Sequence, residues 1–100
     1  MYRFIRTATV KNAALTPSAM GFATELTGWI NKTFETNLVV GLEHFGGLRI
    51  HWHMDVPNLQ TVEEINTRLT NDKDYWNWLE RGKEFWVEGS LHDFIVRIDI

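Results

Sequence analysis

In the segment FGGLRIHWHMDV, residues 45–56, apolar and polar side chains alternate from Leu48 to Val56. One phase holds apolar residues such as Ile50 and Trp52, and the other phase is polar: Arg49, His51, His53 and Asp55. A period of two is typical of a β-strand with one buried face. We therefore predict a strand here, and its polar row is either a reactive site or the solvent side of the sheet.

Two further strands are predicted near the ends of the chain, where the period of two recurs. In residues 2–10 the phases are Tyr2, Phe4, Ala8 and Val10 against Arg3, Ile5, Thr7 and Thr9. In residues 91–100 they are His92, Phe94, Val96, Ile98 and Ile100 against Leu91, Asp93, Ile95, Arg97 and Asp99. The first set of the last strand is the more apolar one, so we expect it to face the core.

Helical spacing appears in two other segments. Thr16 and Pro17 are predicted to be the N-cap and first turn of a helix over residues 17–35, whose apolar residues recur every three or four positions. Thr61 to Glu64 have the pattern of a capping box, and Asn71 or Asp72 gives a second start signal. The segment after Pro57 is therefore predicted to form two helices with a break near residue 70, and Gly82 to kink or end the second.

A hairpin is predicted around Gly46 and Gly47, because glycines readily adopt the positive φ of a two-residue turn. With that turn length the facing pairs are Phe45 with Leu48, His44 with Arg49, Leu42 with His51 and Val40 with His53. A bulge at Gly41 would shift these partners without changing the face that the two histidines share.

The element order is strand, helix, strand, strand, helix pair, strand, which predicts an α+β fold of the ferredoxin-like βαββαβ type. Both helical segments would cover one face of a four-stranded antiparallel sheet. The other face would combine the polar row with an apolar patch that needs cover from a second copy of the chain. We predict this patch to consist of Ile5, Leu38, Val40, Leu42 and Ile95.

Composition narrows the possible classes of function. A length of 100 residues without a change of composition predicts one domain over residues 1–100. The net charge of −3 with scattered lysines and arginines argues against nucleic acid as a partner. There is no cysteine for a thiolate metal site or a nucleophile, and no apolar segment approaches the roughly 20 residues that span a bilayer. We expect a cytoplasmic protein without a membrane partner.

The element order, the GG hairpin and the tail LERGKEFWVEGSLHDFIVRIDI resemble the dimeric α/β-barrel superfamily. That superfamily includes antibiotic-biosynthesis-monooxygenase-like, NIPSNAP-like and stress-responsive barrel proteins. The resemblance implies a homodimer whose two sheets form a barrel, with a pocket between sheet and helices or inside the barrel. Its members include cofactor-free monooxygenases, haem-degrading enzymes, isomerases and proteins without an assigned activity.

The histidines are the candidate catalytic residues. His51 or His53 could act as a general base near neutral pH, oriented by Asp55 or Asp99. Arg49 or Arg97 could hold a developing anion, and Trp78, out of phase with its helix neighbours, could line a pocket mouth. We thus predict His51 and His53 as catalytic, in a cofactor-free monooxygenase-like or isomerase-like reaction that begins with proton removal. Arg49, Asp55, Arg97 and Trp78 are predicted to be binding residues for a small aromatic or polyketide-like molecule.

Several alternatives remain open at this point. The polar row could instead form hydrogen bonds and ion pairs within and between two subunits, without any chemistry. His51 and His53 with Asp55 or His44 would be a weak metal site, and we predict no metal. Flavin and nicotinamide fingerprints are missing from the sequence, and neither predicted helix carries a histidine for haem, so no cofactor is predicted.

Overall fold

The computed structural model describes residues 1–44 and 46–98. The strands are β1 (Tyr2–Thr9), β2 (Val39–Leu42), β3 (Arg49–Val56) and β4 (His92–Arg97), and the helices are α1 (Thr16–Phe34), α2 (Leu59–Thr70) and α3 (Lys73–Gly82). The four strands form one antiparallel sheet in the order β2-β3-β1-β4. The predicted ferredoxin-like α+β fold is confirmed.

The helices cover one face of this sheet, which we call the covered face. On β3 the apolar residues Ile50, Trp52 and Met54 are at most 7% exposed, whereas Arg49 and Asp55 on the other phase are exposed. Ala8 of β1 and Val10, which follows that strand, join them beneath two alanines of α1. The predicted orientation of β3 is therefore confirmed, and the opposite side of the sheet is called the open face.

The starts of the three helices agree only partly with the predicted ones. α3 begins after Asp72, whose carboxylate accepts hydrogen bonds from the N–H groups of Asp74 and Tyr75. α2 begins before the predicted capping box, because Asn58 accepts from the N–H of Thr61. α1 includes Thr16, so this residue is not the N-cap that the sequence suggested.

The hairpin register differs from the prediction. Val39 pairs with His53 and Gly41 with His51, and the N–H of Glu43 donates to the carbonyl of Arg49. The connection is therefore longer than two residues. Because directly opposite residues share a face, Val39, Gly41 and Glu43 lie on the open face, and Val40 and Leu42, with Leu38, do not. The predicted pair Phe45 with Leu48 falls outside the described residues.

The phase of β4 is also the reverse of the prediction. Asp93 pairs with Arg6 and Arg97 with Tyr2, both on the side of the helices, while Phe94 pairs with Ile5 on the open face. Both phases of this edge strand are partly apolar and all six of its residues are exposed, so apolar character did not identify the covered side. The predictions for Asp99 and Ile100 lie outside the described residues.

Candidate functional site

On the open face, the carboxylate of Glu43 forms hydrogen bonds with three groups of the hairpin. Glu43 accepts from Arg49 Nε at 2.7 Å, from His51 Nε2 at 2.8 Å and from the Gly47 N–H at 2.7 Å. The hydrogen bonds from Arg49, then His51, then Gly47 lower the pKa of Glu43 to about 2. The His51 ring is therefore already bonded to an ionised carboxylate.

The second open-face pair lies toward the other end of β3. Asp55 accepts from Arg3 Nε at 2.7 Å and from Arg3 Nη2 at 3.0 Å. The hydrogen bond from Arg3 lowers the pKa of Asp55. The carboxylate that was predicted to orient a histidine is thus held by an arginine. His53 lies between Val39 and Ile5 in the cross-strand register.

The covered face contains a cavity of about 90 Å³ between the sheet and the helices, which we call the sheet–helix cavity. Its walls are mainly apolar and aromatic: Phe4, Trp52 and Met54 from the sheet, Phe22, Leu26 and Ile30 from α1, Val62, Ile65 and Leu69 from α2, and Trp78 and Leu79 from α3. Exposed Asn66 and Leu91 also line it, so the cavity reaches the surface.

Aromatic rings build the inner wall of this cavity. Phe22 lies 5.7 Å from Trp78 between ring centroids, and Trp52 meets Trp86 edge to face at 5.7 Å. The guanidinium of Arg81 lies over the rings of Trp78 and Phe22, 4.6 and 5.6 Å from their centroids. Trp78 thus lines a pocket, but on the opposite side of the sheet from His51 and His53.

One polar corner interrupts the apolar lining. Arg6 donates from Nε and Nη2 to the carboxylate of Asp93, at 2.6 and 2.8 Å, and from Nη1 to the Tyr75 hydroxyl at 2.9 Å. Burial lowers the pKa of Arg6, but the hydrogen bond to Asp93 and the interactions with Tyr75 outweigh it and raise that pKa overall. Arg6 is therefore a permanent cation with a bidentate counterion.

The predicted site residues do not form one site. Arg49, His51, His53 and Asp55 lie on the open face. Trp78 lines the sheet–helix cavity, and Arg97 faces the helix side of β4 opposite Tyr2. His92 also differs from its predicted place, because it shares the open face with Thr7.

Sequence reasoning missed several residues that the structure brings into these clusters. They are Arg3 and Glu43 on the open face, Arg6 and Tyr75 at the cavity, and Asp93, which binds Arg6. Arg6 carried a usable signal, since it is a charged residue in the phase of β1 that faces the core and so requires an acidic partner. Within residues 1–44 and 46–98 there is no group of three or more potential protein ligands that could hold a metal ion.

Comparison with known proteins finds similar structures but no matching sequence family. No family model and no curated protein matches the sequence. An uncharacterised NIPSNAP domain protein from Burkholderia xenovorans is 13% identical, with a TM-score of 0.81 over 99% of this chain and 95% of that one. A NIPSNAP family protein of unknown function from Agrobacterium tumefaciens is 22% identical, with a TM-score of 0.76 over 96% and 86%. A structure of an antibiotic biosynthesis monooxygenase is 9% identical, with a TM-score of 0.62 over 100% and 98%.

These comparisons confirm the resemblance at the level of fold. The chain has the ferredoxin-like architecture of NIPSNAP-family and antibiotic-biosynthesis-monooxygenase structures. Among the helices of the described chain, none is long and apolar enough to cross a membrane.

Proposed function

We propose that this protein binds a small, largely apolar molecule, about one aromatic ring in size, in the sheet–helix cavity. The observation that carries the proposal is the largely aromatic and apolar space between sheet and helices with a polar corner at Arg6 and Tyr75, the usual composition of a small-molecule site. A dry cavity of about 150 Å³ can enclose benzene. At about 90 Å³ this cavity would hold part of a ring, with the rest at the opening beside Leu91, and it is too small for a multi-ring polyketide.

The geometry favours binding in the cavity over base catalysis by the histidines. A molecule in the sheet–helix cavity would be separated from His51 and His53 by the sheet itself, since neither residue lines that space. The bond from His51 to Glu43 also supports a structural role for this ring. A monooxygenase-like or isomerase-like reaction with His51 or His53 as base would have to use the open face, and it stays a prediction.

Cavity binding is tested by filling the space from α2. Leu69 lines the cavity, while Leu59, on the same helix, is 48% exposed and lies outside the lining. Ethylbenzene is titrated into the wild type while the indole N–H signals of the tryptophans are followed by NMR. We expect Leu69→Trp to abolish the shifts and Leu59→Trp to keep them. Equal ethylbenzene binding by both variants, or no binding by the wild type, would refute the proposal.

A second candidate function concerns the open face, which we propose to be the interface of a homodimer. Val39, Phe94 and Val96 are between 41 and 49% exposed there. Phe94 lies beside Ile5, Val96 lies beside Arg3, and Val39 lies across His53 from Ile5, so exposed apolar side chains are present at both edges of this face. The charges on this face are already paired, as Glu43 with Arg49 and Arg3 with Asp55, so a symmetric copy would not bring uncompensated charges together. The dimeric barrel implied by the sequence resemblance has this arrangement.

Phe94 and Ile95 provide a matched test of the dimer. They are neighbours on β4 with nearly equal exposure, 42 and 43%, but they point to opposite faces. We expect wild type and Ile95→Lys to be dimers by sedimentation velocity and Phe94→Lys to be a monomer. A monomeric wild type would exclude the interface, and a dimeric Phe94→Lys would place it elsewhere.

A further inference from the structure

The hydroxyl of Tyr75 is a buried hydrogen-bond donor at the wall of the cavity. Tyr75 is 5% exposed and lines the space, and its oxygen accepts from Arg6 Nη1 at 2.9 Å. A guanidinium has donors only, so it occupies an acceptor position of the phenol and cannot take the phenol proton. Within residues 1–44 and 46–98 no protein group accepts that proton. The Tyr75 O–H is thereby left to a bound molecule.

The charge of this corner determines which kind of acceptor fits. Asp93 takes two hydrogen bonds from Arg6 and neutralises its charge, so the corner is close to neutral although it contains a guanidinium. Asp93 does not line the cavity itself, but it binds Arg6, which does. A ligand carboxylate would therefore meet a cation that is already neutralised, and would lose its hydration without gaining a free cation. A neutral oxygen would lose less hydration and would still satisfy the phenol donor.

We propose that the sheet–helix cavity selects neutral ring-sized molecules that carry a carbonyl-type oxygen, and that this oxygen accepts the proton of Tyr75. Arg6 is a positioning residue, because it fixes the phenol oxygen and so directs its proton away from itself. Asp93 sets the preference for neutral over anionic ligands. This inference rests on the proposed binding function and adds the class of ligand to it.

The donor is tested with two ligands of similar shape, acetophenone and ethylbenzene, of which only the first has an acceptor oxygen. Affinities are measured by the same NMR titration on wild type and Tyr75→Phe. We expect wild type to prefer acetophenone by about 2- to 12-fold, the range of one net hydrogen bond, and Tyr75→Phe to bind both equally. Tyr2→Phe is the control, because Tyr2 lies on β1 outside the lining and its variant should keep the preference.

The charge preference is tested independently with benzoate. Wild type should bind benzoate more weakly than acetophenone. In Asp93→Asn the guanidinium of Arg6 loses its counterion, so benzoate affinity should rise about tenfold, as expected for a hydrogen bond between charged groups. No rise in a variant with native-like spectra would overturn the role given to Asp93.

The outcomes separate this inference from the function on which it rests. If neither acetophenone nor ethylbenzene binds the wild type, cavity binding itself is wrong. If both bind with equal affinity, or if Tyr75→Phe retains the preference for acetophenone, cavity binding stands and the role of Tyr75 is refuted.

Discussion

The ion pair between Arg6 and Asp93 should contribute measurably to stability, unlike most pairs at a protein surface. Its two N–O distances are 2.6 and 2.8 Å, and the side chain of Arg6 is 24% exposed against 42% for Asp93. Exposed pairs contribute up to about 1 kcal/mol, whereas breaking a buried pair costs about 3–5 kcal/mol. For this intermediate burial we expect a coupling energy of about 2 kcal/mol.

A double-mutant cycle with Arg6→Met and Asp93→Ala measures this coupling by urea unfolding. Asp93→Ala should be the more destabilising single change, because it leaves the more buried group, the guanidinium, without its partner. Arg6→Met keeps the apolar stem and leaves an exposed carboxylate that water can solvate. A coupling below about 0.5 kcal/mol, or a larger loss from Arg6→Met, would refute the reasoning.

Arg3 and Asp55 form the matched control cycle on the opposite face of the sheet. Their geometry is similarly bidentate, but both side chains are more than a third exposed. Both cycles are run in the Phe94→Lys background, so that the open face is in solvent whatever the assembly of the wild type. We expect the control coupling to be the smaller one and to disappear in 1 M salt, where the screening length is about 3 Å, while the Arg6–Asp93 coupling persists.

Three further changes test the local structure. The bonds to Glu43 lower its pKa from an ordinary 4.5 to about 2, so its stabilising effect is complete above pH 4.5 and is lost as the pH falls toward 2. The difference in melting temperature between wild type and Glu43→Gln should therefore shrink over that range. Asp72→Ala removes the side-chain cap of α3 and should cost about 0.5–2 kcal/mol in urea unfolding, more than Asp74→Ala, which leaves the cap in place. Ile50→Ala opens a cavity at a position that is 0% exposed and should cost about 2–5 kcal/mol.

The parts of the fold that the sequence predicted correctly are those with one strongly preferred buried face. In β3 every second residue is large and apolar, and only one orientation buries Ile50, Trp52 and Met54 beneath the helices. The start of α3 was predictable for a similar reason, because the Asp72 side chain can satisfy the first N–H groups of the helix.

The predictions of hairpin register and strand phase failed where the apolar pattern did not clearly favour one face of the strand. Around Gly46 and Gly47 the predicted two-residue turn competed with a longer connection in which Glu43 bonds Arg49, His51 and Gly47 together. This polar cluster includes His51, and its sequence signal was a carboxylate directly after β2, in the same phase as Val39 and Gly41. Turn propensity alone does not include the energy of such side-chain bonds.

The error in β4 had the larger consequence for the candidate site, because the phase of that strand decides what reaches the cavity. Arg3 and Arg6 lie three positions apart on β1 and therefore point to opposite faces, where each takes a carboxylate from a different neighbouring strand, Asp55 of β3 and Asp93 of β4. A slip of β4 by one residue would withdraw Asp93 from Arg6 and leave a cation in the apolar wall. The partly buried Arg6 thus favours the observed register of the last strand, and in that register Asp93 balances the charge beside Tyr75.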